Sequence, residues 1–464
     1  MTVTILIISY FVALAVIGWF YSKKVHTGED FAVAGRSLPT FIVFGTMLAT
    51  WIGTGSIFGH AEKTFRVGIA AWVILVGDVV GILVLTLLAP RARRFAKITV
   101  QDVLEERYHV AARILGAITL VIAYVTIVSY QYRAAASVLN LVWPDIPHHL
   151  VVSLVVIFVI LFTAFAGMYS VAYTDTIMGM TMIIGLCVTL PAFWMKAGGL
   201  EGMRTVLPPD HFEWIGPLSL KESIALFLPG ALLVLGDANM YQRFFSAKSE
   251  SVARRATWWM LFGVILVEMA IVLTALAASA LEWTNPHLTH HGRVIAIAAR
   301  DFLPPVLSAV LMTTILAIIM DTATSYLLAP ATSLVQDIYH RFFDRSASAR
   351  KIVWMSRLFV VLLGLLAYAL STLSDEFLSV ALYAYTIYGT GITPALVAAF
   401  VWKRATTAGA LSSMIGGTGM TLFWELSGLS ARTEIDTVFP AFGVSIVLLV
   451  VVSLLTPAST KVAT

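Results

Sequence analysis

The chain alternates long apolar runs with short polar joints. Thirteen runs lie at about residues 4–22, 39–59, 69–90, 112–139, 149–168, 172–195, 222–242, 257–281, 302–330, 353–372, 377–402, 408–427 and 438–456. A helix needs roughly 20 apolar residues to cross the hydrocarbon of a bilayer, and most runs reach that length. The short alternating segments of a membrane β-barrel do not occur in the sequence. The pattern predicts an all-α polytopic membrane protein of about 13 transmembrane helices, forming one domain over residues 1–464.

Two runs are interrupted. The second, TMLATWIGTGSIFG at 46–59, holds Gly53, Gly55 and Gly59. Each glycine weakens a helix by about 1 kcal/mol relative to alanine. Uncoiled backbone survives in a membrane where it lines a cavity or site, and transporters use such breaks to present carbonyls to a cation. A close helix contact through small residues is the plainer explanation. The seventh run, LFLPGALLVLGDANMYQRFF at 226–245, carries Pro229, Gly230, Gly236 and Asp237. The two interrupted runs are five apart. That spacing predicts two five-span units with a site between them, the second unit inverted because five is odd. The expected layout is a leading helix and loop (1–38), a first repeat (39–197), a second repeat (222–402) and two C-terminal helices (403–464).

The ninth run is apolar yet holds Asp321, Thr322, Thr324 and Ser325. On a helix 321, 322 and 325 share a face, with 324 beside it. A carboxylate at mid-membrane costs roughly 2.5–3.5 kcal/mol on insertion scales, so it is expected to face protein, water or an ion. One acid and three hydroxyls form the oxygen set of a hard cation. The competing explanation has the hydroxyls bonding back to carbonyls one turn earlier and the acid meeting a basic partner.

Composition agrees with the span pattern. The chain is 59% hydrophobic and 12% charged, against roughly 25% charged in a soluble domain. The net charge of +4 does not point to nucleic acid, because the basic residues cluster in loops. The expected partners are the lipid bilayer and a small-molecule solute. With the N-terminus outside, 21 Lys and Arg fall on the inner side and 8 on the outer, Arg243 among the inner ones, leaving Arg133 in a span. The asymmetry predicts a cell (inner) membrane protein with a cytoplasmic C-terminus. Cys187 has no second cysteine to pair with. No phosphate loop, zinc signature or catalytic triad appears, so ATP-driven transport and enzymatic hydrolysis are unsupported.

Five segments carry a family resemblance: FAVAGRSLP at 31–39, TVQDVLEERY at 99–108, AYTDTIMG at 172–179, QRFFSAKS at 242–249 and PALVAAFVWKRATTAGALSSMIGG at 394–417. In this order they resemble the sodium:solute symporter family, which includes sodium-coupled proline, glucose and sialic-acid transporters. The resemblance implies a five-plus-five inverted-repeat (LeuT-type) core with one helix before it and two after. It implies a sodium site between the second and ninth spans: carbonyls of Ala49, Ile52 and Ile318, and side chains of Asp321 and Thr322. A second cation site, present in some relatives, would use Asp175, Thr324 and Ser325. The family usually has Ser where this chain has Asp321. The carboxylate suits Na+ and adds a titratable group, so H+ is the alternative coupling ion. Trp51 stands where some relatives carry Asp.

The implied function is secondary active, sodium-coupled symport of a small organic solute by alternating access. An organic acid or amino-acid-like solute fits better than a sugar, since the seventh-span stretch 230–234 is apolar apart from its glycine. Candidate solute contacts are Ser56, Asp78, Gln131, Arg133, Asp237 and Tyr385. Asp78 could instead bridge an inner-side Arg, and Arg133 could snorkel to the outer interface. Arg133 and Asp237 together would suit a zwitterion. Glu268 is read as a helix–helix hydrogen bond. A proton-coupled carrier and a membrane solute sensor are the rival readings.

Overall fold

The computed structural model describes residues 2–95, 97–285, 290–372 and 378–457. Apart from one isolated backbone bridge, the regular structure among them is helical. Without water, backbone N–H and C=O groups must find each other within a segment, and so the long apolar runs coil. The principal helices are α1 (Thr2–Ser22), α2 (Thr40–Trp51), α3 (His60–Val67), α4 (Trp72–Phe95), α5 (Val110–Val142), α6 (His148–Lys196), α7 (Leu220–Gly236) and α8 (Ala238–Ser246). They continue with α9 (Glu250–Glu282), α10 (Pro305–Ser333), α11 (Ala349–Leu370), α12 (Leu378–Gly391), α13 (Thr393–Val401), α14 (Thr407–Leu426) and α15 (Val438–Leu455).

By length and apolar composition ten helical stretches among the described residues can cross a membrane, against thirteen expected runs. Part of the difference is geometric. The 49 residues of α6 would span roughly 73 Å if straight, over twice the hydrocarbon thickness. The helix folds back at Gly167, whose φ of 61° and ψ of 176° favour a residue without a Cβ. Phe158 and Thr181, on opposite sides of that turn, accordingly touch adjacent residues of α1, Phe11 and Tyr10. Likewise Gly68 (φ 64°) turns the chain between α3 and α4, and Glu268 on α9 meets both Ser56 and Asp78.

Both interrupted spans are broken as expected. They also run antiparallel. Leu38, before α2, pairs with the backbone of Ser246 and Lys248 at the end of α8 (3.1 and 3.0 Å). At the opposite ends, Val67 and Ala70 pack with Leu218, ahead of α7. Nearly every residue of α10 is buried, and it lies against α1, α2, α5 and α6. Apolar residues of these helices form one continuous core around the polar cluster of α10.

Candidate cation site

Coiling stops at Trp51. Ile52 is extended (φ −77°, ψ 102°), and the chain resumes as one wide π-helical turn, Gly55–Gly59, before α3. Thr54 helps hold the break open. Its N–H, which would close a turn onto α2, donates to Gln131 Oε1 on α5 at 3.3 Å, and its hydroxyl donates to the same oxygen.

On α10 the Thr322 hydroxyl lies 3.2 Å from the Ile52 carbonyl and 3.1 Å from the Ile318 carbonyl. The Ile318 contact is the back-bond one turn earlier on the same helix, and the Ile52 contact is the one that ties the break to α10; these are three of the five groups expected around the main sodium. Gly53 permits this approach: a Cβ there would lie 2.8 Å from Thr322 Oγ1 and 2.9 Å from Thr322 Cγ2. Asp321 is fully buried, and no N–H or hydroxyl of the described protein donates to either carboxylate oxygen. Its acidic neighbour is Asp175 on α6. Ala49 is buried in the last turn of α2, against Gly179 of α6. A buried carboxylate without donors is costly unless a cation compensates it or it takes up a proton. Carbonyl, hydroxyl and carboxylate oxygens with no nitrogen among them fit Na+.

The second expected site gathers differently. Thr324 turns back to the Asp321 carbonyl at 2.9 Å and does not join Asp175. Asp175 and Ser325 do come together, but around an arginine. The fully buried Arg243 of α8 places Nη2 3.2 Å from Asp175 Oδ2, 2.7 Å from Ser325 Oγ and 2.7 Å from Thr50 Oγ1. Its Nε donates to Thr46 Oγ1 at 3.2 Å. A guanidinium thus stands where a second cation was expected, and Arg243 is no loop residue. The sequence held a signal for this: Asn239, Gln242, Arg243 and Ser246 make one polar helical face, which α8 turns inward.

The solute candidates divide. Asp237 ends α7 and caps α8, accepting from the N–H groups of Asn239 (2.6 Å) and Met240 (3.3 Å). It also accepts from the hydroxyls of Tyr124 (2.9 Å) and Tyr326 (2.7 Å). Asp237 is therefore satisfied as the pin of the second break, not as a partner for a cationic group. Arg133 donates to the Ser371 carbonyl at 2.9 Å, beyond α11. It lies nine residues along α5 from Tyr124, roughly 13 Å of helix, so Arg133 and Asp237 do not make a zwitterion clamp. Gln131 serves the first break. Among the described residues Asp78 pairs with no arginine: it accepts from Trp51 Nε1 at 3.1 Å and abuts Glu268. Ser56 donates to Glu268 Oε1 at 3.3 Å. Tyr385 packs its hydroxyl against Gly55.

The sodium:solute symporter family profile matches residues 31–417. The chain belongs to that family. Two relatives in Bacillus subtilis (strain 168) cover nearly the whole length. The osmoregulated proline transporter OpuE is 26% identical over 97% of this chain and 94% of its own. The high-affinity proline transporter PutP is 27% identical over 97% and 98%. Among solved structures, a Na+-coupled sialic acid symporter in a substrate-bound outward-open state superposes with a TM-score of 0.84 at 16% identity, covering 100% of this chain and 99% of that one. Mhp1, a nucleobase-cation-symport-1 family transporter, gives 0.61 at 12% identity over 91% and 92%. These likenesses establish a LeuT-type transporter fold for this symporter family member.

Proposed function

We propose that the protein is a secondary active transporter that couples the entry of Na+ to that of a small organic solute. The observation that carries this is the meeting of Thr322 with the Ile52 and Ile318 carbonyls, beside a buried Asp321 that no donor satisfies. On this reading Na+ is held by Ala49, Ile52, Ile318, Asp321 and Thr322, in the cleft between the first break and α10. Residues 39–197 and 222–402 are the two inverted repeats. The ion joins two helices that belong to different repeats, so it can favour the conformation that receives solute. Coupling needs such a preference, because an ion with equal affinity for every state shifts nothing. Arg243 supplies a fixed positive charge to Asp175, which supports a single transported sodium. The names of the relatives support an amino-acid-like solute such as proline. The excess of inner-side Lys and Arg supports a cell-membrane location with the N-terminus outside.

Proton coupling is the second reading. It is favoured by a titratable Asp321 beside Asp175, where a serine hydroxyl would not ionise near neutral pH. The test is uptake of labelled L-proline and a panel of amino acids and small carboxylates into proteoliposomes. An inward sodium gradient should drive accumulation, and an equal potassium gradient should not. Accumulation driven by a pH gradient alone would favour the proton. Binding without accumulation under either gradient would mark a sensor instead.

A further inference from the structure

A buried cavity of about 20 Å³ lies between the two interrupted spans. Trp51, Ser56 and His60 line it from the first, Gly230 from the second, Asp78 from α4 and Tyr385 from α12. Asp78 is the acid of that lining. Trp51 donates to its Oδ2, while Oδ1 faces the bare backbone of Gly230, where a Cβ would lie 2.2 Å away. Glu268 stands directly behind, tied to the broken span through Ser56. Asp78 Oδ1 and Glu268 Oε2 are buried and receive no N–H or hydroxyl from the described protein. Independently of the acids, His60, 3% exposed, brings an unpartnered Nδ1 to the same group of residues.

Neither carboxyl belongs to an ion pair among the described residues; Arg243 pairs with Asp175, and Arg133 donates to the Ser371 carbonyl. Two abutting carboxyls can share one proton, which leaves one negative charge. That charge borders Trp51 and Tyr385, which line the same cavity. The lining holds no lysine or arginine that would pair with a carboxylate. The volume is about that of one water-sized group, the room a charged nitrogen takes.

We propose that the solute carries a positively charged nitrogen, and that Asp78, backed by Glu268, receives it beside Trp51 and Tyr385. The proposal rests on the symport reading and names the substrate class of that carrier. It makes the head group an amine or ammonium, with any carboxylate on the solute secondary to recognition.

The experiment measures stabilisation of the purified full-length protein in detergent, with sodium present throughout. The probes are L-proline, pyrrolidine, choline, putrescine and cyclopentanecarboxylate. At least one of the four amines should raise the melting temperature, and cyclopentanecarboxylate should not. D78N and E268Q, which keep shape and lose charge, should weaken binding of that amine at least about tenfold. The stabilisation given by sodium alone should be unchanged in both, which also shows that they fold. A response to cyclopentanecarboxylate equal to the best amine overturns the proposal. So does silence from all four amines, or unaltered amine affinity in both variants. Absence of any sodium-specific stabilisation in the unmodified protein would instead strike the symport reading and leave amine binding separately measurable.

Discussion

Replacing Asp321 by Asn tests the cation site most directly. The side chain keeps its shape and one oxygen, so the fully buried position loses charge without losing packing. Arg243 pairs with Asp175 at 3.2 Å, so Asp321 is the acid at the crossing with no ion pair among the described residues. A charge pair about 4 Å apart at an effective dielectric of about 20 is worth about 4 kcal/mol. The retained amide oxygen and the lower desolvation cost offset about half of that. A net loss of about 2 kcal/mol corresponds to a roughly thirtyfold rise in the sodium concentration for half-maximal effect. Two assays read it: solute uptake into proteoliposomes against external sodium at fixed membrane potential, and sodium-dependent thermal stabilisation in detergent. The second reports binding free of the transport cycle. Asp321→Ser, restoring the hydroxyl usual in the family, should bind sodium more weakly than the native protein. It should also flatten any pH dependence. In the native protein protons compete with sodium for the carboxylate, so apparent sodium affinity should fall as pH falls. Half-saturation within twofold of native in the Asn variant, by both assays, would remove Asp321 from the site.

Thr322→Ala should abolish sodium-stimulated uptake while the protein still reaches the membrane, as measured by surface labelling alongside transport. Gly53→Ala should push Thr322 away from the break, because the added methyl would sit 2.8 Å from its hydroxyl. Overpacking of this kind costs about 1–3 kcal/mol, and sodium-dependent stabilisation should shrink more than the baseline melting temperature. Arg243→Met leaves Asp175 buried and unpaired, and should destabilise the protein by about 3–5 kcal/mol in denaturation measurements. The double variant Arg243→Met with Asp175→Asn should recover much of that loss. If the single and double variants melt alike, Arg243 and Asp175 do not depend on one another.

Hydrophobic run lengths and the placement of glycines are local properties, and they were enough for an all-helical membrane chain with two interrupted spans, though not for the number of spans. The break after Trp51, the break at Asp237 and the polar cluster of α10 follow from residues within a few positions of one another. Because uncoiled backbone in a bilayer must line something, the glycines at 53, 55 and 59 pointed either to a site or to a close helix contact. The resemblance added which oxygens to pair, and Ile52, Ile318 and Thr322 do meet. Partners distant in the chain were another matter. Asp175 and Arg243 are 68 positions apart, and Asp237 lies 113 from Tyr124. Nothing in either neighbourhood announces the other. Arg243 read as a loop cation because it follows an apolar run, and Asp237 read as a solute contact because it follows a glycine. Packing turned the first inward as a fixed countercharge and made the second a satisfied pin. Whether a buried charge recruits an ion, a solute or a neighbouring side chain is decided by which groups reach it across helices, and that is a property of the assembled bundle alone.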